Sequence, residues 1–150
     1  MTDRPVEAEL FGSLFVLAQH LTRRADAAIA PLGLTSRQWL LLAVLDARFS
    51  DGPATLSGAA AAYGSSRQNV KQIALQLERG GWLRLLPDPD DGRVTRLALT
   101  DRVEEFRDPA RVAADLAFLD DLFGALTDRQ RRTLLTLVTR CIEHLEENAS

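Results

Sequence analysis

The chain has 150 residues, enough for one domain with a sizeable core. Hydrophobic residues at 46% and charged residues at 26% are an ordinary globular balance, and no stretch approaches the ~18 apolar residues a membrane span needs. The formal charge of −3 argues against a uniformly basic surface, and a single cysteine excludes an internal disulfide and fits a reducing cytoplasm.

The opening MTDRPVEAE has no apolar run after its basic residue, so no secretory signal is expected. Residues 5 to 30 read as a long helix. Leu10, Leu14, Leu17 and Leu21 alternate at spacings of four and three, the seam of a helix packed on other helices, with Phe11, Phe15 and Ala18 beside it. Pro31 and Gly33 end this segment. Thr35 with Gln38 three residues on forms a capping box that starts a second helix. Trp39, Leu40, Leu42, Ala43, Val44 and Leu45 make that helix nearly all apolar, hence expected to be central and buried. Ser50-Asp51-Gly52-Pro53 is a turn cluster.

Thr55-Leu56-Ser57 starts a third helix, whose Ala59 to Ala62 are small enough to admit a close neighbour. Tyr63-Gly64 supplies a turn, and Ser65 with Gln68 reads as a capping box opening the fourth helix. Val70, Ile73, Ala74 and Leu77 then form one apolar stripe, with Gln68, Lys71, Gln72 and Arg79 on the opposite side. Gly80-Gly81 stops the helix. Residues 82–86 and 94–99 follow as strands around a polar tip, Pro87-Asp88-Pro89-Asp90-Asp91-Gly92-Arg93. Helical structure resumes at Thr100-Asp101 and is interrupted at Asp108-Pro109, an N-cap followed by proline at the first helical position. Val112, Leu116, Leu119, Phe123 and Leu126 repeat helically, and Thr127 with Gln130 forms another capping box. The last helix runs to about Glu147, with Leu134, Val138, Cys141 and Leu145 on one stripe.

Two short helices, a strand, a charged tip and a second strand make a winged helix-turn-helix. The run SSRQNV opening a helix, LERGGWL ending it, a DPxDxR tip and a closing LT resemble the MarR (multiple antibiotic resistance regulator) family, as does GLTSRQW ahead of the second helix. The tip departs from the family's frequent pair of basic residues: Gly92 precedes Arg93. The expected fold is mainly α with a small β wing, one domain over 1–150. A winged helix-turn-helix lobe spans about 35–100, and dimerisation helices span about 5–30 and 101–147. The apolar stripes at both chain ends are more than one 150-residue core accommodates, so a second copy is their simplest partner. The resemblance implies the same two-fold dimer.

An α-helix fits the major groove of DNA, where Gln and Asn pair with adenine and Arg and Lys with guanine. Ser65, Ser66, Arg67, Gln68, Asn69, Lys71 and Gln72 crowd the start of the fourth helix and are the DNA-binding candidates, with Arg93 reaching for the minor groove. The plain alternatives are a solvated helix face and an Arg93 paired with Asp90 or Asp91. Arg84 and Arg96 are at most phosphate contacts. Residues 64–96 hold six basic and four acidic residues, so the negative charge lies elsewhere in the chain.

The resemblance also implies a small aromatic or phenolic effector, with Phe15, His20, Trp39 and Phe118 as the ligand candidates; each is more simply read as plain core. Cys141 and His144 lie three residues apart, the spacing of a thiolate–imidazole pair, but a cysteine on an apolar stripe reads as a small buried hydrophobe. No phosphate loop, paired-carboxylate setting or nucleophile motif is present, so no enzyme, cofactor or metal is expected. The leading reading is a cytoplasmic homodimeric repressor of a pseudo-palindromic operator on double-stranded DNA, relieved by a small molecule. The alternative is a dimeric scaffold of the same fold that has lost specific DNA binding.

Overall fold

Short-range hydrogen bonds set most of the helix ends. The computed structural model describes residues 3–149, and the chain divides into two compact units, Met1–Trp39 and Leu40–Ser150. In the first unit, α1 (Val6–Ile29) begins after Pro5 with Glu7 and Glu9 in its first turn, where negative charge suits the helix dipole. A 3-10 turn (Ala30–Leu32) and Gly33 at φ 73° close it. The start of α2 (Ser36–Arg48) is capped twice. Thr35 and Gln38 exchange hydrogen bonds at 3.0 and 3.3 Å, the expected capping box. Asp26 adds an unexpected one, its Oδ1 accepting from the Ser36 N–H at 2.6 Å. That bond holds the Asp26 carboxyl below its ordinary range.

Ile29 and Leu34 are buried, whereas Leu10, Phe11, Leu14, Phe15 and Leu17 along α1 are exposed. Phe11 and Phe15 stack edge to face with centroids 5.0 Å apart. The α2 expectation needs correction: Leu41, Leu42 and Leu45 are buried, but Trp39 and Leu40 are exposed. Only one side of this helix is a core face.

In the second unit, β1 (Ala54–Thr55), α3 (Leu56–Tyr63), α4 (Arg67–Arg79), β2 (Leu83–Pro87) and β3 (Thr95–Leu99) follow α2. The sheet is antiparallel in the order β1-β3-β2, with Ala54 opposite Leu97 and Leu83 opposite Leu99. Strand β1 is too short to be announced by any alternation, and sequence reasoning missed it. Thr55 then caps α3 by accepting from the Gly58 N–H at 3.0 Å. Ala59 and Ala60 are buried where α3 packs on α4, and Val70, Ile73, Ala74 and Leu77 form the buried stripe of α4.

Gly64 (φ 82°) ends α3, and Gly81 (φ 77°) turns the chain after α4. Trp82, expected within a strand, is a buried plug before β2. Phe106 stacks on it with centroids 5.2 Å apart, and the Arg102 guanidinium lies 4.2 Å over its ring. Both come from the 3-10 helix Asp101–Arg107 that follows the wing. Arg102 Nη1 also donates to the Gly80 carbonyl, Thr100 Oγ1 donates to Gly81 O at 2.6 Å, and Thr100 N donates to Trp82 O at 3.0 Å.

Asp108 caps α5 (Pro109–Leu122), with Pro109 at its first position, and Thr127 and Gln130 form a full capping box on α6 (Asp128–Glu147). Leu116 on α5 and Leu135, Ile142 and Leu145 on α6 are exposed. Cys141 is exposed as well, contrary to its reading as a buried hydrophobe. No single helix among the described residues is long and apolar enough to cross a membrane.

Candidate nucleic-acid interface

The N-terminus of α4 is built one residue later than its sequence implies. Ser66, not Ser65, is the N-cap: its hydroxyl accepts from the Asn69 N–H at 3.1 Å, and the expected Ser65–Gln68 box is replaced by this bond. Ser65 Oγ instead accepts from the Asn69 side-chain amide at 2.9 Å. Asn69 is thereby drawn back against the turn and half-buried. Capping commits Ser65, Ser66 and Asn69 to the helix start, which leaves Arg67, Gln68, Lys71 and Gln72 as the exposed polar face.

Because Val70, Ile73, Ala74 and Leu77 anchor the opposite side, this face is turned outward by core packing. A cleft of about 620 Å³ runs along it, lined by Leu56 and Ser57 at the start of α3, Arg67, Gln68 and Lys71 of α4, and Arg93, Val94 and Thr95 of the wing. The fold therefore gathers three cations and one amide on a single concave surface, although Arg93 lies more than twenty residues from Lys71 in sequence. Gln72 is outside this lining. Ser57 and Thr95 are polar lining residues that the sequence did not single out; only their placement beside α4 reveals them.

At the wing, Arg93 pairs with Asp91: its Nε and main-chain N–H each donate to Asp91 Oδ1 at 3.1 Å, and Nη2 donates to Oδ2 at 3.4 Å. The Arg93 side-chain bonds, then its backbone N–H, hold the Asp91 carboxyl below its ordinary value. The guanidinium stays 92% exposed, so this pair is a weak surface one that a phosphate can compete for. Arg96, at most a phosphate contact by its sequence, binds Asp88 and the Pro53 carbonyl. Arg84 is exposed on β2.

Of the ligand candidates, Phe15, His20 and Trp39 are exposed and Phe118 is half-buried; none lines the cleft on α4. His144 faces Asn148, with Nδ1 3.4 Å from the Asn148 amide nitrogen.

Residues 32–94, from the end of the first unit through the wing tip, match the MarR family. Over 141 residues the chain is also 30% identical to uncharacterized protein Rv2011c of Mycobacterium tuberculosis, covering 87% of this chain and 93% of that one. The chain belongs to the MarR family. Its fold is shared by Sco3205, a MarR family transcriptional regulator from Streptomyces coelicolor solved in complex with DNA (TM-score 0.77, 22% identity, 97% of this chain and 92% of that one). It is likewise shared by BpsR of Bordetella bronchiseptica, whose DNA binding is regulated by 6-hydroxynicotinic acid (TM-score 0.72, 21% identity, 89% and 98% covered). This MarR family chain thus carries the winged-helix fold of transcriptional regulators, with its cationic cleft on the outward face of α4.

Proposed function

We propose that this protein is a homodimeric transcriptional repressor that binds a pseudo-palindromic operator in double-stranded DNA and is released by a small aromatic ligand. The observation that carries the reading is the convergence of Arg67, Gln68, Lys71 and Arg93 on one cleft. In this reading the start of α4 enters the major groove, with Gln68 and Lys71 at base edges and Arg67 on phosphate. Arg93 exchanges Asp91 for the DNA backbone or minor groove. The whole of 1–150 acts as one MarR-like domain, its lobe over about 35–100 bound to DNA and its ends joined to a second copy.

Dimerisation is supported by the apolar residues left exposed along α1 and, separately, along α5 and α6. The effector reading draws on the ligand response of BpsR, and Phe15, His20, Trp39 and Phe118 remain the aromatic groups assigned to it. One observation favours the scaffold alternative: the tip has Gly92 where the family often has a basic residue, and its Arg93 is paired with Asp91.

A salt titration on the chain's own upstream region and on random duplexes separates the two. Gln68→Ala is expected to cost about 1–3 kcal/mol on the specific site and little on random DNA, since a lost base-edge contact removes discrimination. Arg93→Ala is expected to weaken both and make the salt slope shallower by about one unit per subunit engaged. Two-fold symmetry places half-sites about 10 base pairs apart, or a multiple. If Gln68→Ala loses no discrimination, α4 does not read the bases.

A further inference from the structure

The wing tip is held by more than its own hairpin. Arg96 sits opposite Thr55 in the β1–β3 ladder, and its guanidinium forks. Nη1 donates to the Pro53 carbonyl at 2.8 Å, and Nε donates to Asp88 Oδ1. The second Asp88 oxygen, Oδ2, accepts the N–H groups of Asp90 and Asp91, each at 3.0 Å. Asp91 in turn holds Arg93. An unbroken run of polar contacts therefore links Pro53, just ahead of β1 and the Thr55 cap of α3, to the arginine on the rim of the cleft. The inner members are covered and the outer one is presented: side-chain exposure is 10% at Asp88, 35% at Arg96 and 92% at Arg93.

We propose that Asp88 and Arg96 are positioning residues that fix the wing so that Arg93 faces the α4 cleft, and that they govern DNA affinity without touching DNA. This rests on the DNA-binding reading above. The residue types suit the task. Only a guanidinium offers two donors in a rigid fork, which lets one side chain bridge a carbonyl and a carboxylate. Only a carboxylate at residue 88 accepts from that fork with one oxygen and from two backbone N–H groups with the other. Without both, the tip keeps its own short-range bonds, Asp88 N–H to Val94 O at 2.8 Å, Val94 N–H to Asp91 O at 3.0 Å and the Asp91–Arg93 pair. It loses its tie to Pro53 ahead of β1, and with it the fixed placement of Arg93 against the cleft.

Charge gives the test a sign. Asp88→Ala removes a negative charge from the DNA-facing wing, so Coulomb attraction alone makes binding tighter. Positioning makes it weaker, by about three- to tenfold, roughly one phosphate contact, and by no more than Arg93→Ala loses. In an Arg93→Ala background the Asp88→Ala loss is expected to vanish, because the group being positioned is gone. Arg96→Lys, which conserves charge but not the fork, is expected to behave like Asp88→Ala. Tighter binding by Asp88→Ala, or an equal loss with and without Arg93, overturns the proposal.

If the wild type binds no duplex, the regulator reading fails by itself, and amide relaxation decides the wing. In Arg96→Lys the order parameters of Asp90, Asp91 and Arg93 are expected to fall from about 0.85 to below about 0.6, with Ile73 and Ala74 unchanged. A wing that stays rigid overturns the proposal irrespective of DNA.

Discussion

Truncating the apolar face of α6 is the sharpest test of the proposed dimer. Leu135 and Leu145 are each 67% exposed in the single chain. Complete burial of a leucine side chain is worth about 1.5–3 kcal/mol, so covering the exposed two thirds supplies about 1–2 kcal/mol. A two-fold interface carries each side chain twice. Leu145→Ala is then expected to weaken the dimer by about 2–4 kcal/mol, on the order of 30- to 1,000-fold in Kd. Leu135→Ala is expected to act similarly. Sedimentation velocity over a concentration series reads the Kd, and Glu143→Ala on the same helix is a matched control whose effect should stay within about 0.5 kcal/mol. Circular dichroism separates dissociation from unfolding. A folded wild-type monomer at micromolar concentration would refute the reasoning, as would leucine truncations that leave the Kd where it was.

Three further outcomes are expected. Ser66→Ala removes the α4 N-cap and should cost about 1 kcal/mol, seen as a melting temperature lowered by about 2–4 °C, whereas Ser65→Ala should cost less. Asp26, Asp88 and Asp91 all have carboxyls held below the ordinary value of 3.8, by the Ser36 backbone N–H, Arg96 and Arg93 respectively. Depressed folded values mean that their stabilisation is fully present above about pH 4 and is lost as pH falls through the lower folded values, so thermal melts should drop in that window, and Asp26→Asn should flatten the drop. Cys141→Ser should leave DNA affinity unchanged in reducing buffer and after peroxide; release of DNA by peroxide from the wild type alone would assign the thiol a sensing role.

What could be read from the sequence depended on how local the signal was. The Thr35–Gln38 and Thr127–Gln130 boxes are complete within four residues, and both formed as expected. At Ser65-Ser66 the same rule had two adjacent serines to choose between, each with a polar residue three positions on, and the spacing alone could not rank them. Core packing of α4 followed from its period, because Val70, Ile73, Ala74 and Leu77 must share one side of any helix. The period of α2 misled: an apolar residue on every side does not say which sides are covered, and Trp39 and Leu40 are not. Contacts between distant segments were invisible. Nothing near Arg96 points to the Pro53 carbonyl, and nothing near Trp82 announces Phe106 and Arg102. The cleft likewise depends on the hairpin bringing Arg93 back beside α4.

The contacts around Trp82 have a mechanical consequence for α4. Its last turn is fastened from behind: Arg102 and Thr100 donate to the Gly80 and Gly81 carbonyls, while Arg102 and Phe106 cover the indole. The same 3-10 helix ends at the Asp108 cap of α5. A tilt of α5 that carries Asp101–Arg107 with it must therefore drag the C-terminal end of α4 or break these hydrogen bonds and the stacked ring. These contacts join α4 to the base of α5, and if α4 reads DNA as proposed they give an event far from the cleft a physical route to it.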